Sequence, residues 1–255
     1  MLVGEIGNKI FSYYADKDIE NIEFKVNKGE VIQFNLNKLN SELYYTVLKE
    51  HGVENEAEFF RNLFLKYINN PRYVREEILF SEVFEKINQA IKEKRKLNIK
   101  YSNEVRTVNP YFIKVASGED RAYLFTYCEK NCDYRNYRIA NIENISLSKN
   151  EIDFKDKEYI KNIERNFDPF LSFEKKVIIK IDEEGKKLFE RVIVNRPKVL
   201  KKEGDIWTLE CANRLAKIYF PQFLSHIEIL EPLRLREWFK KELKKSLERY
   251  GKENE

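Results

Sequence analysis

Residues 121–142 read RAYLFTYCEKNCDYRNYRIANI, and their alternation decides the fold. In an extended chain successive side chains point to opposite faces. Arg121, Tyr123, Phe125 and Tyr127 then share one face of a strand. Past the turn-rich EKNCD, Tyr134, Asn136 and Arg138 share one face of the next, and Arg135, Tyr137 and Ile139 the other. Working outward, LNIKY, RTVNPYFIKV and ISLSKN have the same short-strand texture, and SNE and SGED between strands are turn chemistry. Short strands filling Leu97–Asn150 predict a small β-barrel. Arginine interleaved with tyrosine offers a cation and a stacking platform together, the combination that binds single-stranded nucleic acid. Tyrosines in this pattern also serve as barrel core or rim.

Composition sets the bounds. The chain has 255 residues, 42% of them hydrophobic and 14% aromatic, which predicts a folded protein with room for more than one core. Net charge is only +4, but its distribution is uneven. Residues 1–60 hold 6 Lys/Arg against 11 Asp/Glu, and residues 61–150 hold 17 against 11. A basic middle behind an acidic amino end fits a local nucleic-acid surface, and it fits charges scattered over solvated faces equally well. The 3 cysteines are an odd number, which fits a reducing compartment. Cys128 and Cys132 stand C-x3-C with no second such pair, and the only histidines are His51 and His226, so no metal site is expected. No apolar run reaches the length of a membrane span and the first thirty residues carry no signal-peptide pattern, so a soluble cytoplasmic protein is expected.

Residues 83–145 resemble a WYL domain, an SH3-like or Sm-like β-barrel. The resemblance runs through AIKEKRKLNIKY, VRTVNPYFIK, RAYLF and YRNYRIANI. The tripeptide that names the domain here reads Ala122-Tyr123-Leu124. The usual Leu-Asp-Arg-Ile ending reads Ile139-Ala140-Asn141-Ile142. The resemblance implies that a nucleic-acid or nucleotide-like effector is bound at aromatic and basic positions, here Tyr101, Arg106, Tyr123 and Arg138.

Upstream, Ile32, Phe34 and Leu36 alternate with Gln33, Asn35 and Asn37, which predicts a short strand. Before it, IEFKV and the turn Asn27-Lys28-Gly29 predict a hairpin within residues 1–30. After it, a helix capped by Asn40 or Ser41 runs to about Glu50, and Gly52 closes it. VENEAEFFRNLFLKYINNP predicts a second helix with an Asn55/Glu58 capping box, a broad aromatic face and an Asn69-Asn70-Pro71 stop. Such a strand–helix–helix unit is too small to bury that face alone, so an obligate homodimer is expected. Residues 31–71 resemble the ribbon-helix-helix family of Arc and MetJ type repressors. The resemblance implies that Gln33, Asn35 and Asn37 read DNA and that Asn55 sits near a phosphate. That face carries no Arg or Lys, so dimerisation alone stands beside DNA reading as its role.

SEVFEKINQAIKEKRK predicts a helix over 81–96 capped by Ser81, with a basic carboxyl end at Lys92, Lys94, Arg95 and Lys96. Just before it, Glu76-Glu77 reads as an exposed acidic pair at a helix start. Beyond a helical linker at 151–172, the order strand, helix, hairpin, helix, strand, helix predicts a ferredoxin-like sandwich. Its IEILEPLRLREW segment resembles the extension that follows WYL domains. Lys201, Lys202, Lys240, Lys241, Lys244 and Lys245 are candidate phosphate contacts or solvated lysines. No Gly-rich phosphate loop, triad or metal motif is present, so no enzyme and no cofactor are expected.

The expected architecture is therefore α+β and multidomain: an N-terminal segment (1–30), a ribbon-helix-helix dimerisation domain (31–74), a WYL barrel (75–150), a linker (151–172) and a ferredoxin-like domain (173–255). This domain order resembles the WYL accessory proteins of type VI-D CRISPR systems. That resemblance implies a homodimeric, single-stranded RNA-binding regulator that stimulates an RNA-guided ribonuclease. The alternative is a DNA-binding repressor with a nucleotide-sensing WYL pocket.

Overall fold

The computed structural model describes residues 2–19, 32–116 and 120–251. The chain forms mixed helices and antiparallel sheets divided into two compact units, one built from residues up to Val115 plus Asp120–Asp153, the other chiefly from Phe154 onward.

The first unit opens on helices: α1 (Val3–Tyr14), α2 (Lys38–Glu50), α3 (Glu56–Asn69), α4 (Arg72–Leu79) and α5 (Ser81–Lys92). The sequence reading anticipated neither α1 nor α4. The hairpin expected within residues 1–30 falls largely on residues 20–31, outside the described ones. In α1, Ile10, Phe11 and Tyr14 are buried against Val47, Phe59, Leu63 and Ile78. One chain's own helix thus covers part of the aromatic face that a second copy was expected to cover. An open groove of about 980 Å³ remains, lined by Ile6, Phe34, Tyr44, Phe60, Phe64 and Ile68 among others.

Residues 32–37 have no regular secondary structure and no partner strand among the described residues. An unpaired strand gains no ladder hydrogen bonds to hold it. The segment is pinned otherwise. Phe34 and Leu36 are half-buried while Gln33 and Asn35 face out. The Phe34 ring stands edge-on to Phe60 and Phe64 with centroids 5.9 Å apart. Asn8 donates from Nδ2 to the Asn35 carbonyl at 2.9 Å, and its Oδ1 accepts the Asn37 N–H at 2.7 Å. Asn37, not Asn40 or Ser41, caps α2 by accepting the Asn40 N–H at 2.9 Å. Asn40 is buried and donates its amide to Asn8 instead. Gly52, at φ +59°, turns the chain out of α2. Asn55 caps α3 through the Glu58 N–H at 3.2 Å. Ser81 is the first residue of α5 and not its cap, because α4 ends so close that Phe80 takes that position.

The strands β1 (Arg95–Tyr101), β2 (Glu104–Ala116), β3 (Arg121–Cys128), β4 (Asp133–Arg138) and β5 (Ile142–Glu151) follow, with a single 3-10 turn at Ile139–Asn141. Their order is β4-β3-β2-β1-β5. No described ladder joins β4 to β5, so the barrel expected from the sequence is not closed. A helix does the covering: Phe84, Ile87 and Ala90 of α5 are buried with Leu97, Ile99, Val108, Leu124, Ile139 and Ile145.

The second unit begins with α6 (Lys157–Arg165), capped by Asp156. It continues β6 (Lys176–Ile181), α7 (Glu183–Arg191), β7 (Lys198–Glu203), β8 (Ile206–Glu210), α8 (Asn213–Tyr219), a 3-10 segment (Phe220–His226), β9 (Ile227–Glu231) and α9 (Leu233–Tyr250). The sheet order is β7-β8-β6-β9 with every neighbouring pair antiparallel. Gly204, at φ +61°, makes the turn between β7 and β8. Val177, Ile179, Trp207, Leu209, Tyr219, Phe223 and Ile229 form its core.

Candidate nucleic-acid interface

The register of β3 against β4 sets Tyr123 opposite Arg138, Phe125 opposite Asn136, and Tyr127 opposite Tyr134. Those residues, with Arg121, form one continuous face. The intervening Ala122, Leu124, Cys128 and Tyr137 enter the core on the other side. The middle of the face is packing: Phe125 is fully buried, stacked on Tyr134 (5.5 Å, 5° between planes) and on Phe112 (4.8 Å, 22°). Tyr127 and Tyr134 at one end are partly exposed, and so are Tyr123 and Arg138 at the other.

Helix α4 borders this end. Arg72, Arg75 and Glu76 stand at i, i+3 and i+4 and so share one face of the helix. Glu76, expected to be exposed, is buried: its side chain is only 9% exposed. Its Oε1 accepts from Arg138 Nη2 at 2.5 Å and from Arg72 Nε at 3.2 Å. Two guanidinium groups therefore share one carboxylate oxygen. Glu76 Oε2, Arg75 Nε and Arg138 Nε are buried without a hydrogen-bond partner among the described residues. A buried polar cluster this incompletely matched is uncommon in a folded protein.

Tyr101 and Arg106 lie elsewhere. Arg106 pairs across the ladder with Ile99, and Tyr101 packs on the core side of the sheet. There the Tyr101 ring meets Tyr137 edge-on at 5.0 Å, and the Arg106 guanidinium lies 6.0 Å from the Tyr137 ring centre. Arg106 donates to Glu104 at 2.9 Å and to Asn131 Oδ1 at 3.1 Å. Burial, reinforced by the neighbouring Cys128 thiol, holds the Tyr137 hydroxyl well above the ordinary phenol range, so it stays protonated. Cys128 is buried and Cys132 exposed.

The structure thus brings Tyr123 together with Arg138, and Tyr101 together with Arg106, on opposite faces of one sheet. Sequence reasoning missed Glu76, Arg72 and Arg75 beside the first pair and Tyr137 beside the second. The i, i+3, i+4 spacing in RYVRE was the available signal for the helical trio.

The amide candidates are partly committed to folding. The side chains of Asn37 and Asn55 are helix caps, and the Asn35 backbone is held by Asn8, while the side chains of Gln33 and Asn35 are exposed. In the second unit Lys201 pairs with Glu203 at 2.7 Å, Lys202 lies 4.1 Å over the Trp207 ring, and Lys245 pairs with Glu242 at 2.7 Å. Among the described residues no helix is long and apolar enough to cross a membrane.

Comparison with known proteins bears on the middle of the chain and on the fold. The WYL domain family matches residues 82–147, from the start of α5 into β5. The crystal structure of a CRISPR Cas-related protein superposes with a TM-score of 0.65 at 17% identity, covering 98% of this chain and 72% of that one. Proteasome accessory factor B/C of Arthrobacter aurescens gives a TM-score of 0.32 at 18% identity, covering 68% of this chain and 28% of that one. No curated protein matches the sequence.

Proposed function

We propose that this protein, which carries a WYL domain at residues 82–147, is a homodimeric single-stranded RNA-binding accessory regulator that stimulates the RNA-guided ribonuclease of a type VI-D CRISPR system. The observation that carries the reading is the cross-strand pair of Tyr123 and Arg138 on the sheet face that α4 borders. A half-buried tyrosine is a stacking platform for a base of any sequence, and the adjacent guanidinium supplies the cation a phosphate needs. The likeness to a CRISPR Cas-related protein over nearly the whole chain supports the system to which the regulator belongs. It acts by binding and not by catalysis.

The same reading takes residues 32–71 as a ribbon-helix-helix dimerisation element. Its strand forms when segment 32–37 of a second chain pairs with it, the step that would supply the ladder bonds the lone segment lacks. The five strands around α5 follow an SH3-like or Sm-like plan. The order β7-β8-β6-β9, with helices after the first and third strands, follows a ferredoxin-like plan.

A second reading rests on one observation: Gln33 and Asn35 face outward while Phe34 and Leu36 turn in, the alternation a DNA-reading ribbon needs. In that case the protein is a repressor and the sheet face senses a nucleotide. Titrating labelled single-stranded RNA and duplex DNA of equal length separates the two. The RNA reading expects Arg138→Ala to weaken RNA binding about tenfold or more, with Gln33→Ala/Asn35→Ala having little effect. Tight duplex binding that is lost in Gln33→Ala/Asn35→Ala and indifferent to Arg138→Ala would replace it.

A further inference from the structure

We infer that Glu76 is a built-in occupant of a phosphate site, a carboxylate standing where a nucleic-acid phosphate binds to Arg138, Arg72 and Arg75. The identification of that phosphate as an RNA backbone rests on the function proposed above; the anion site itself rests on geometry.

The first argument is charge. Arg72 and Arg138 converge on one oxygen of Glu76, and Arg75 lies on the same face of α4, so the cluster carries more positive than negative charge in a half-buried setting. A buried ion pair kept only for stability is balanced and fully hydrogen-bonded. This one is neither: Arg75 Nε and Arg138 Nε are buried donors with no acceptor, and Glu76 Oε2 is a buried acceptor with no donor. A tetrahedral phosphate presents more acceptor oxygens than a carboxylate and can meet donors that Glu76 leaves unmet.

Access is the second argument. Glu76 is the enclosed partner, but the Arg138 side chain is 21% exposed and that of Arg72 44% exposed. An incoming anion therefore meets the guanidinium groups from the solvent side and competes with the carboxylate from there. Location is the third. Glu76, Arg72 and Arg75 precede the WYL match, which begins at residue 82. The carboxylate is supplied by helix α4, ahead of the matched residues, against a sheet residue that lies within them. Binding at the sheet is thereby linked to the seating of α4, which leads directly from α3. Any anion that displaces Glu76 loosens the hold of α4 on β4.

The test uses the full chain and two probes: a labelled single-stranded RNA followed by fluorescence anisotropy, and inorganic phosphate followed by the shift in melting temperature. Glu76→Gln is expected to tighten RNA binding about tenfold, the size of one charge-assisted contact, and to let phosphate raise the melting temperature. Both gains should vanish in Glu76→Gln/Arg138→Ala. Glu76→Asp, which keeps the charge but draws it back, should give a smaller gain of the same sign and covers the case in which Glu76→Gln does not fold. If wild type binds RNA through Arg138 and neither Glu76 variant tightens it or responds to phosphate, Glu76 is a structural partner only; this inference falls and the proposed function stands. If phosphate stabilises Glu76→Gln in an Arg138-dependent way while no variant binds RNA, the anion site stands and the RNA reading falls.

Discussion

Arg106 and Arg138 occupy one five-stranded sheet and meet opposite circumstances. Arg106 faces the core side beside Tyr137, and its carboxylate partner Glu104 is a surface group two residues away that also takes Lys130 at 3.1 Å. Arg138 faces the other side, and its partner Glu76 is a buried residue on a helix 62 positions earlier in the chain. The guanidinium groups are alike, with side chains 18% and 21% exposed. The difference lies in the partner. An exposed carboxylate reached along one strand is rehydrated at little cost when its pair is broken. A buried carboxylate carried by another element ties two parts of the fold together, and freeing it exposes unmatched charge. Both arginines keep a buried Nε without a partner among the described residues, so what sets them apart is that Arg106 leans on an exposed carboxylate and Arg138 on an enclosed one that ties α4 to the sheet.

The sharpest way to break that contrast is to delete each carboxylate. Glu76→Ala leaves Arg138 and Arg72 without their shared acceptor and is expected to cost about 3 kcal/mol of unfolding free energy. Glu104→Ala, at an exposed carboxylate, is expected to cost much less, as for other surface pairs. Urea denaturation of the two variants beside wild type measures both. Equal losses would remove the distinction between the faces.

How legible each face was in the sequence follows from the same physics. The partition of Arg121, Tyr123, Phe125 and Tyr127 from their neighbours was readable, because a strand has period two and the hairpin turn fixes the register with the next strand. That Tyr101 and Arg106 lie on the reverse face was not, since the parity of β1 and β2 relative to β3 is set by pairing and no single strand shows it. The burial of Glu76 was hidden for a similar reason: an acidic residue in an eight-residue helix looks solvated until the helix is laid against β3 and β4. Helix α1 was obscured by Gly4 and Gly7, which lower helix propensity. The structure accounts for Gly7, since a Cβ there would stand 2.7 Å from the Phe34 ring. The glycine makes room for the aromatic that anchors segment 32–37, so a residue that weakens the local signal serves a distant contact.

A second comparison sharpens the assignment of binding to one face. Tyr123→Ala removes the ring beside Arg138 and is expected to weaken single-stranded RNA binding about tenfold, the loss of one stacked base. Tyr101→Phe keeps the ring that packs on Tyr137 and is expected to leave RNA affinity within about twofold. Both are read from anisotropy titrations at one salt concentration, with circular dichroism confirming the fold. A loss in Tyr101→Phe that matched the loss in Tyr123→Ala would move the interface to the Arg106 side or spread it over both.

The smallest effect concerns pH and belongs to the Arg106 side. A hydrogen bond from Lys130, followed by the charges of Lys130 and Arg106, holds the Glu104 carboxyl below its ordinary value of 4.5. A depressed carboxyl favours the folded state at pH above its unfolded value, and that contribution is lost as pH falls through the folded value. Wild type should therefore lose slightly more melting temperature than Glu104→Gln between pH 7 and the acid side of 4.5. Tyr137 adds no slope in this range, because its raised hydroxyl remains protonated throughout. Parallel melting curves for wild type and Glu104→Gln would mean that Glu104 is as well paired in the unfolded chain as in the fold. The Arg106 pair would then be a rearrangeable surface contact with no preference for the native state, and the contrast with the enclosed Arg138–Glu76 pair would widen.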